Sequence, residues 1–155
     1  MEYLVIKWLH IVSSTFLFGT GVGSAFYKYV IDRSGDVRAI AHVARWVVIA
    51  DWIFTTPAVI FQPLSGLYLA WLLGIPFSTP WLAVSIALFF MAGACWVPVV
   101  VLQMRMRDLA QQALRESTAL PALYWRYARI WFWLGVPAFT MVVGVFYLMV
   151  AKPIF

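Results

Sequence analysis

From Trp52 to Met104 the chain carries no charged side chain at all. About 20 residues cross the hydrocarbon core of a bilayer, so this run is too long for one crossing. "GIPFSTP", Gly74 to Pro80, breaks it into a hairpin. The second span is therefore expected at about residues 45–73 and the third at about 81–104. The first span is expected at about 3–30, ended by Lys28, "IDRSGD" and Arg38. Ser34-Gly35 marks a turn, and Asp36 suits the N-cap of the next helix. "RMRDLAQQALREST" reads as a polar helical extension and loop, with Ser117 or Thr118 in position to cap a new helix. Pro121 suits a first helical turn, where its missing N–H costs nothing. The last span follows at about 125–151. The pattern predicts an all-α, integral membrane, four-helix transmembrane bundle, one domain across residues 1–155.

Composition agrees. Of the 155 residues, 65% are hydrophobic and only 11% charged, far too little polar surface for a soluble domain of this length. The formal charge of +5 therefore points to anionic headgroups rather than to nucleic acid. The lone cysteine, Cys95, allows neither an intrachain disulfide nor a cysteine metal cluster. Glu2 precedes Lys7, and no basic segment leads the first apolar run. That run is expected to be a retained span rather than a cleaved leader.

Lysine and arginine set the expected orientation. Lys28, Arg33, Arg38 and Arg45 flank the first connection; Arg105, Arg107, Arg115, Arg126 and Arg129 flank the third. Only Lys7 and Lys152 lie elsewhere, so nine of eleven cations fall on one side. By the positive-inside rule that side is cytoplasmic, and both termini are periplasmic in a bacterial inner membrane. Tryptophans collect at both interfaces. Trp8, Trp71 and Trp81 suit the outer border; Trp46, Trp52, Trp125, Trp131 and Trp133 suit the inner one. Pro57, Pro63, Pro98 and Pro137 fall inside spans, where each frees a carbonyl and can kink its helix.

Few side chains can carry chemistry. Lys7, His10, Ser14, Leu17, Gly21, Ser24 and Lys28 form a stripe at helical spacing. It is polar or small at nearly every step, so it should face protein. Two readings stand side by side. Glycine and serine allow close helix approach, with His10 hydrogen-bonding to a neighbour. Alternatively, His10 is an axial haem ligand, and the glycines make room for a flat macrocycle. His10 lies roughly 10 Å below the outer end of its helix at 1.5 Å per residue. The other histidine, His42, falls across most of the bilayer, which excludes bis-histidine ligation of one haem. Met91, Met141 and Gln62 lie near the depth of His10 and are candidate partners at the cofactor. Arg38, His42 and Arg45 read as a headgroup-binding stripe, with Met104 and Met106 near enough in depth for a soft metal such as Cu(I).

Asp51 is the carboxylate set inside a span, where a partner is expected. Arg129 is the leading candidate for an ion pair, with Arg126 and Arg105 next. A proton relay is the functional alternative. Gln62, at mid-membrane, must also find a partner, either Ser14 or a carbonyl freed by proline. The sequence holds no glycine-rich phosphate loop, nucleophile elbow or zinc-protease motif.

"LVIKWLHIVSSTFLFGTGVGSAFY" followed by "ADWIFTTPAVIFQPLSG" resembles the bacterial membrane-protein family known as domain of unknown function 2269. That resemblance implies four inner-membrane helices and no particular activity. More distantly, "KWLHI…G" is similar to the first helix of bacterial membrane protoporphyrinogen oxidase and of copper-resistance membrane proteins. In the former, an early-helix histidine is associated with haem. His10 and its flanks Lys7, Trp8 and Gly19 carry over; the second-span motif departs, so oxidase activity does not follow. Three expectations result. The first is a small membrane protein that is haem b-binding or redox-associated through His10. The second is a non-catalytic accessory subunit that packs against other membrane subunits or itself. The third is a small proton-linked transporter using Asp51.

Overall fold

The computed structural model describes residues 1–153. They form helices without any strand: α1 (Glu2–Asp32), α2 (Val37–Ala50), α3 (Thr56–Leu72), α4 (Pro80–Glu116) and α5 (Ala122–Ala151). A π-helical turn, Asp51–Thr55, joins α2 to α3 without a break. Four helical stretches are long and apolar enough to cross a membrane: Glu2–Asp32, Val37–Leu72, Pro80–Glu116 and Ala122–Ala151. Each is longer than the span expected from hydropathy, because the helices continue into their polar flanks.

The connections follow local rules. Asp36 caps α2, its Oδ1 accepting from the N–H groups of Arg38 at 2.9 Å and Ala39 at 3.4 Å. Gly74, at φ +63°, lets the chain reverse after α3. The N–H of Ile75 then returns to the carbonyl of Ala70 at 2.9 Å. Ser117 does not start a helix as expected. It closes α4 in the left-handed region, with Thr118 N–H on the Ala113 carbonyl. Pro121 is the N-cap of α5, without a side-chain hydrogen bond.

Pro57 accounts for the π turn. It lacks the N–H that would reach Ile53, and its ring crowds that carbonyl. The chain widens just before it, and the N–H of Thr56 reaches back to Asp51. The expected kink is thus absorbed as one wider turn, which stacks Thr55 over Asp51.

α1 pairs with α3, and α4 runs along α5, with α2 bridging α1 to α4. The best-packed core lies at the end where α1 meets α2. Ile40 and Ala41 pack there on Met106 and Ala110, with Tyr124 and Trp131 alongside. Alanines at 41 and 110 permit close approach, and Gln111 Nε2 donates to the Ala41 carbonyl at 3.0 Å. Towards the other end the two pairs stand apart, held by large rings. Phe18 of α1 fits between Phe139 and Phe146 of α5, with centroids 5.2 and 5.3 Å away. The spaces left beside those rings are two cavities.

Candidate functional site

The first cavity, about 440 Å³, lies between α1, α3, α4 and α5 near the end that holds both chain termini. His10 heads it. The Nδ1 of His10 is 2.7 Å from Ser65 Oγ. The Ser65 hydroxyl spends its proton on the Phe61 carbonyl at 2.7 Å, so Ser65 accepts and Nδ1 is the protonated nitrogen. Nε2 therefore carries the lone pair. It has no hydrogen-bond partner among the described residues and is not sealed off. Gly66 makes room for the ring: a Cβ there would sit 3.2 Å from His10 Cε1.

Gln62 is buried and donates Nε2 to the His10 backbone carbonyl at 2.7 Å. It meets neither Ser14 nor a proline-freed carbonyl. Ser14 lines the same cavity, although its hydroxyl turns back to the Ile11 carbonyl at 2.6 Å. Lys7 and Lys152 stand at the rim. Lys7 lies over the ring of Tyr3 and Lys152 over that of Trp81. Near the rim, the Tyr68 hydroxyl donates to Glu2, fastening α3 to the start of α1.

The expected methionines do not join His10. Met91 is 50% exposed on the outer face of α4. Met141 lines neither cavity; Met149 lines this one instead. Depth along a helix was the available signal, and it leaves the facing direction open. Gly21, three turns below His10 on the same stripe, lines the second cavity. His42 is exposed on α2 and accepts at Nε2 from Trp46 Nε1 at 3.1 Å, while Met106 is buried in the core. Among the described residues no three His, Cys, Asp or Glu side chains are grouped to hold a metal ion.

The second cavity, about 480 Å³, lies nearer the α1–α2 end. Asp51 lines it, accepting from Thr55 Oγ1 at 2.9 Å with the Gln103 side chain beside it. The expected Asp51–Arg129 ion pair does not form. Arg129 is exposed, and the inward position two residues later is filled by Trp131. Trp131 is accordingly a buried residue rather than an interfacial one.

Among the described residues, the buried ion pair lies elsewhere. Lys28, 1% exposed, is 2.6 Å from Asp32 and donates to Tyr124 Oη at 2.9 Å. Tyr124 donates in turn to the other Asp32 oxygen at 2.6 Å. The Trp131 ring lies 5.4 Å from the Lys28 ammonium. The sequence places Lys28 at the end of the first span and on the stripe expected to face protein, without naming its partners. Its burial agrees with that stripe facing protein.

No curated protein and no solved structure matches the chain. A family model described as a predicted integral membrane protein matches residues 4–153. With four membrane-length apolar helices and a match over nearly its whole length, the chain belongs to this family, DUF2269.

Proposed function

We propose that this protein binds a haem b in the cavity headed by His10, as a small haem-binding or redox-associated protein of the bacterial inner membrane. One observation carries the reading. His10 is held through Nδ1 by Ser65, and its Nε2 lone pair is free at a cavity of about 440 Å³. Ligating histidines are commonly oriented in this way by a partner on the other ring nitrogen. The cavity size falls within the roughly 300–1,000 Å³ of ligand pockets. Its walls are largely apolar, with Lys7 and Lys152 at the rim as counter-charges for carboxylates. His10 would be the protein ligand from α1; neither Met91 nor Met141 faces it, and Met149 is the methionine that lines the cavity. Bound there, an iron porphyrin supplies one-electron chemistry. Ser65 fixes the tautomer of His10, Gln62 ties its backbone, and Gly66 leaves space for its ring.

The same contacts support a second reading, an accessory subunit in which His10 only locks α1 to α3. Gln62 to the His10 carbonyl and His10 to Ser65 are sufficient for that role. The visible spectrum separates the two. Protein expressed with ample haem and purified in mild detergent should show a Soret band that shifts on reduction. The band should vanish in His10→Ala and survive in His42→Ala. A colourless wild-type preparation overturns the haem reading and leaves the helix lock.

For orientation, we place the arginine-rich connections in the cytoplasm and both termini in the periplasm. The charge asymmetry supports this.

A further inference from the structure

The second cavity combines features that the His10 site lacks. Asp51 is buried inside a membrane-length helix, with no ion pair among the described residues. Its neighbours Thr55 and Gln103 offer hydrogen bonds but no positive charge. The buried lysine, Lys28, is committed to Asp32 and Tyr124. A carboxylate in hydrocarbon without a counter-charge is costly. Gln103 adds a second acceptor. It is 5% exposed, and its Oε1 has no partner. The remaining walls are apolar and rich in aromatic faces, among them Phe18, Phe89, Trp96 and Phe132.

Buried acceptors, one of them a carboxyl group, inside an aromatic enclosure suit one ligand chemistry. Ammonium N–H groups satisfy the carboxylate and the amide oxygen, and aromatic faces favour the cation. An apolar body fills the rest. Access agrees with this. Phe26, Tyr29, Val136 and Phe139, on α1 and α5, line the cavity and are exposed on the flank of the bundle. The opening therefore faces the hydrocarbon, where lipophilic molecules partition. We infer that the cavity between α1, the π turn, α4 and α5 is a binding site for a lipophilic ammonium ion, held by Asp51 and Gln103. The donor Trp131 Nε1, also buried and unpartnered, plays no part in holding the cation.

Binding of phenylbutylammonium and of its neutral counterpart phenylbutanol to the full chain in nanodiscs tests this. Trp96 and Trp131 line the cavity, so tryptophan fluorescence reports occupancy. The ammonium should bind saturably and about tenfold or more tighter than the alcohol, a gap of roughly 1.4 kcal/mol. Asp51→Asn should abolish that preference, and His10→Ala should leave it intact. Gly93→Leu guards against a variant that fails to fold. A Cβ at Gly93 meets nothing within 4 Å, so the larger side chain enters the cavity, and binding of both probes should fall. Equal affinity for amine and alcohol, or a preference that survives Asp51→Asn, overturns the proposal. So does undiminished binding in Gly93→Leu.

Discussion

Lys28 Nζ and Tyr124 Oη meet at 2.9 Å in the interior, although 96 positions separate them in the chain. Asp32 closes the triangle, bonding to both. A buried ion pair is weak evidence of stability, but breaking one from a single side is costly. Lys28→Met should lower the unfolding free energy by about 3–5 kcal/mol. Tyr124→Phe, which removes one hydroxyl between charged partners, should lower it by about 1.5–3 kcal/mol. Thermal unfolding in detergent reads both. The double variant should lose less than the sum, since the two groups share partners; strict additivity would show that the triangle does not act as a unit.

Ser65 orients His10, so its removal separates orientation from ligation. Ser65→Ala should weaken haem retention about 10- to 100-fold, the usual effect of losing a ligand's outer partner. It should leave the helices folded, as circular dichroism would report. Retention equal to wild type would mean that Ser65 does not set the tautomer.

Gly66 tests the space around the same ring. Gly66→Ala puts a methyl 3.2 Å from His10 Cε1, which the ring can relieve by a small shift. Gly66→Leu cannot be relieved that way and should displace the imidazole, eliminating the Soret band. An unchanged spectrum in Gly66→Leu would place the haem away from this ring.

Arg129 is exposed and makes no ion pair with Asp51. Arg129→Ala should therefore change stability by no more than about 0.5 kcal/mol. Thr55→Val removes the hydroxyl that donates to Asp51 and should cost about 1.5–3 kcal/mol, as for hydrogen bonds to charged groups. Chemical denaturation of both variants compares them directly; a larger loss at Arg129 than at Thr55 would contradict this arrangement.

Orientation is open to labelling. In a Cys95→Ser background, Ser78→Cys lies in the α3–α4 hairpin and Ser34→Cys in the α1–α2 turn, both exposed. A membrane-impermeant maleimide should label Ser78→Cys on neither intact cells nor spheroplasts if the hairpin is cytoplasmic. It should label it on both if the hairpin shares the periplasmic side. The orientation proposed from charge puts the α1–α2 turn inside, so one crossing later the α3–α4 hairpin would lie outside. Labelling of Ser78→Cys on spheroplasts and of Ser34→Cys only after permeabilisation is the expected result, and the reverse pattern would invert the bundle.

The sequence by itself determined the four spans, because hydrocarbon forbids charge and admits backbone only as closed helices. It also determined that both termini share one end, and that the stripe from His10 to Lys28 faces protein. Period and polarity along a single helix carry that information. The partners of each polar group were not legible there. Depth along the helices puts Arg129 within reach of Asp51 and Met91 or Met141 within reach of His10, yet depth leaves rotation about the helix axis undetermined. Which side chains meet is settled by how five helices turn against one another. That turning put Trp131 rather than Arg129 inward, bound Lys28 to Tyr124, and left His10 and Asp51 at separate cavities.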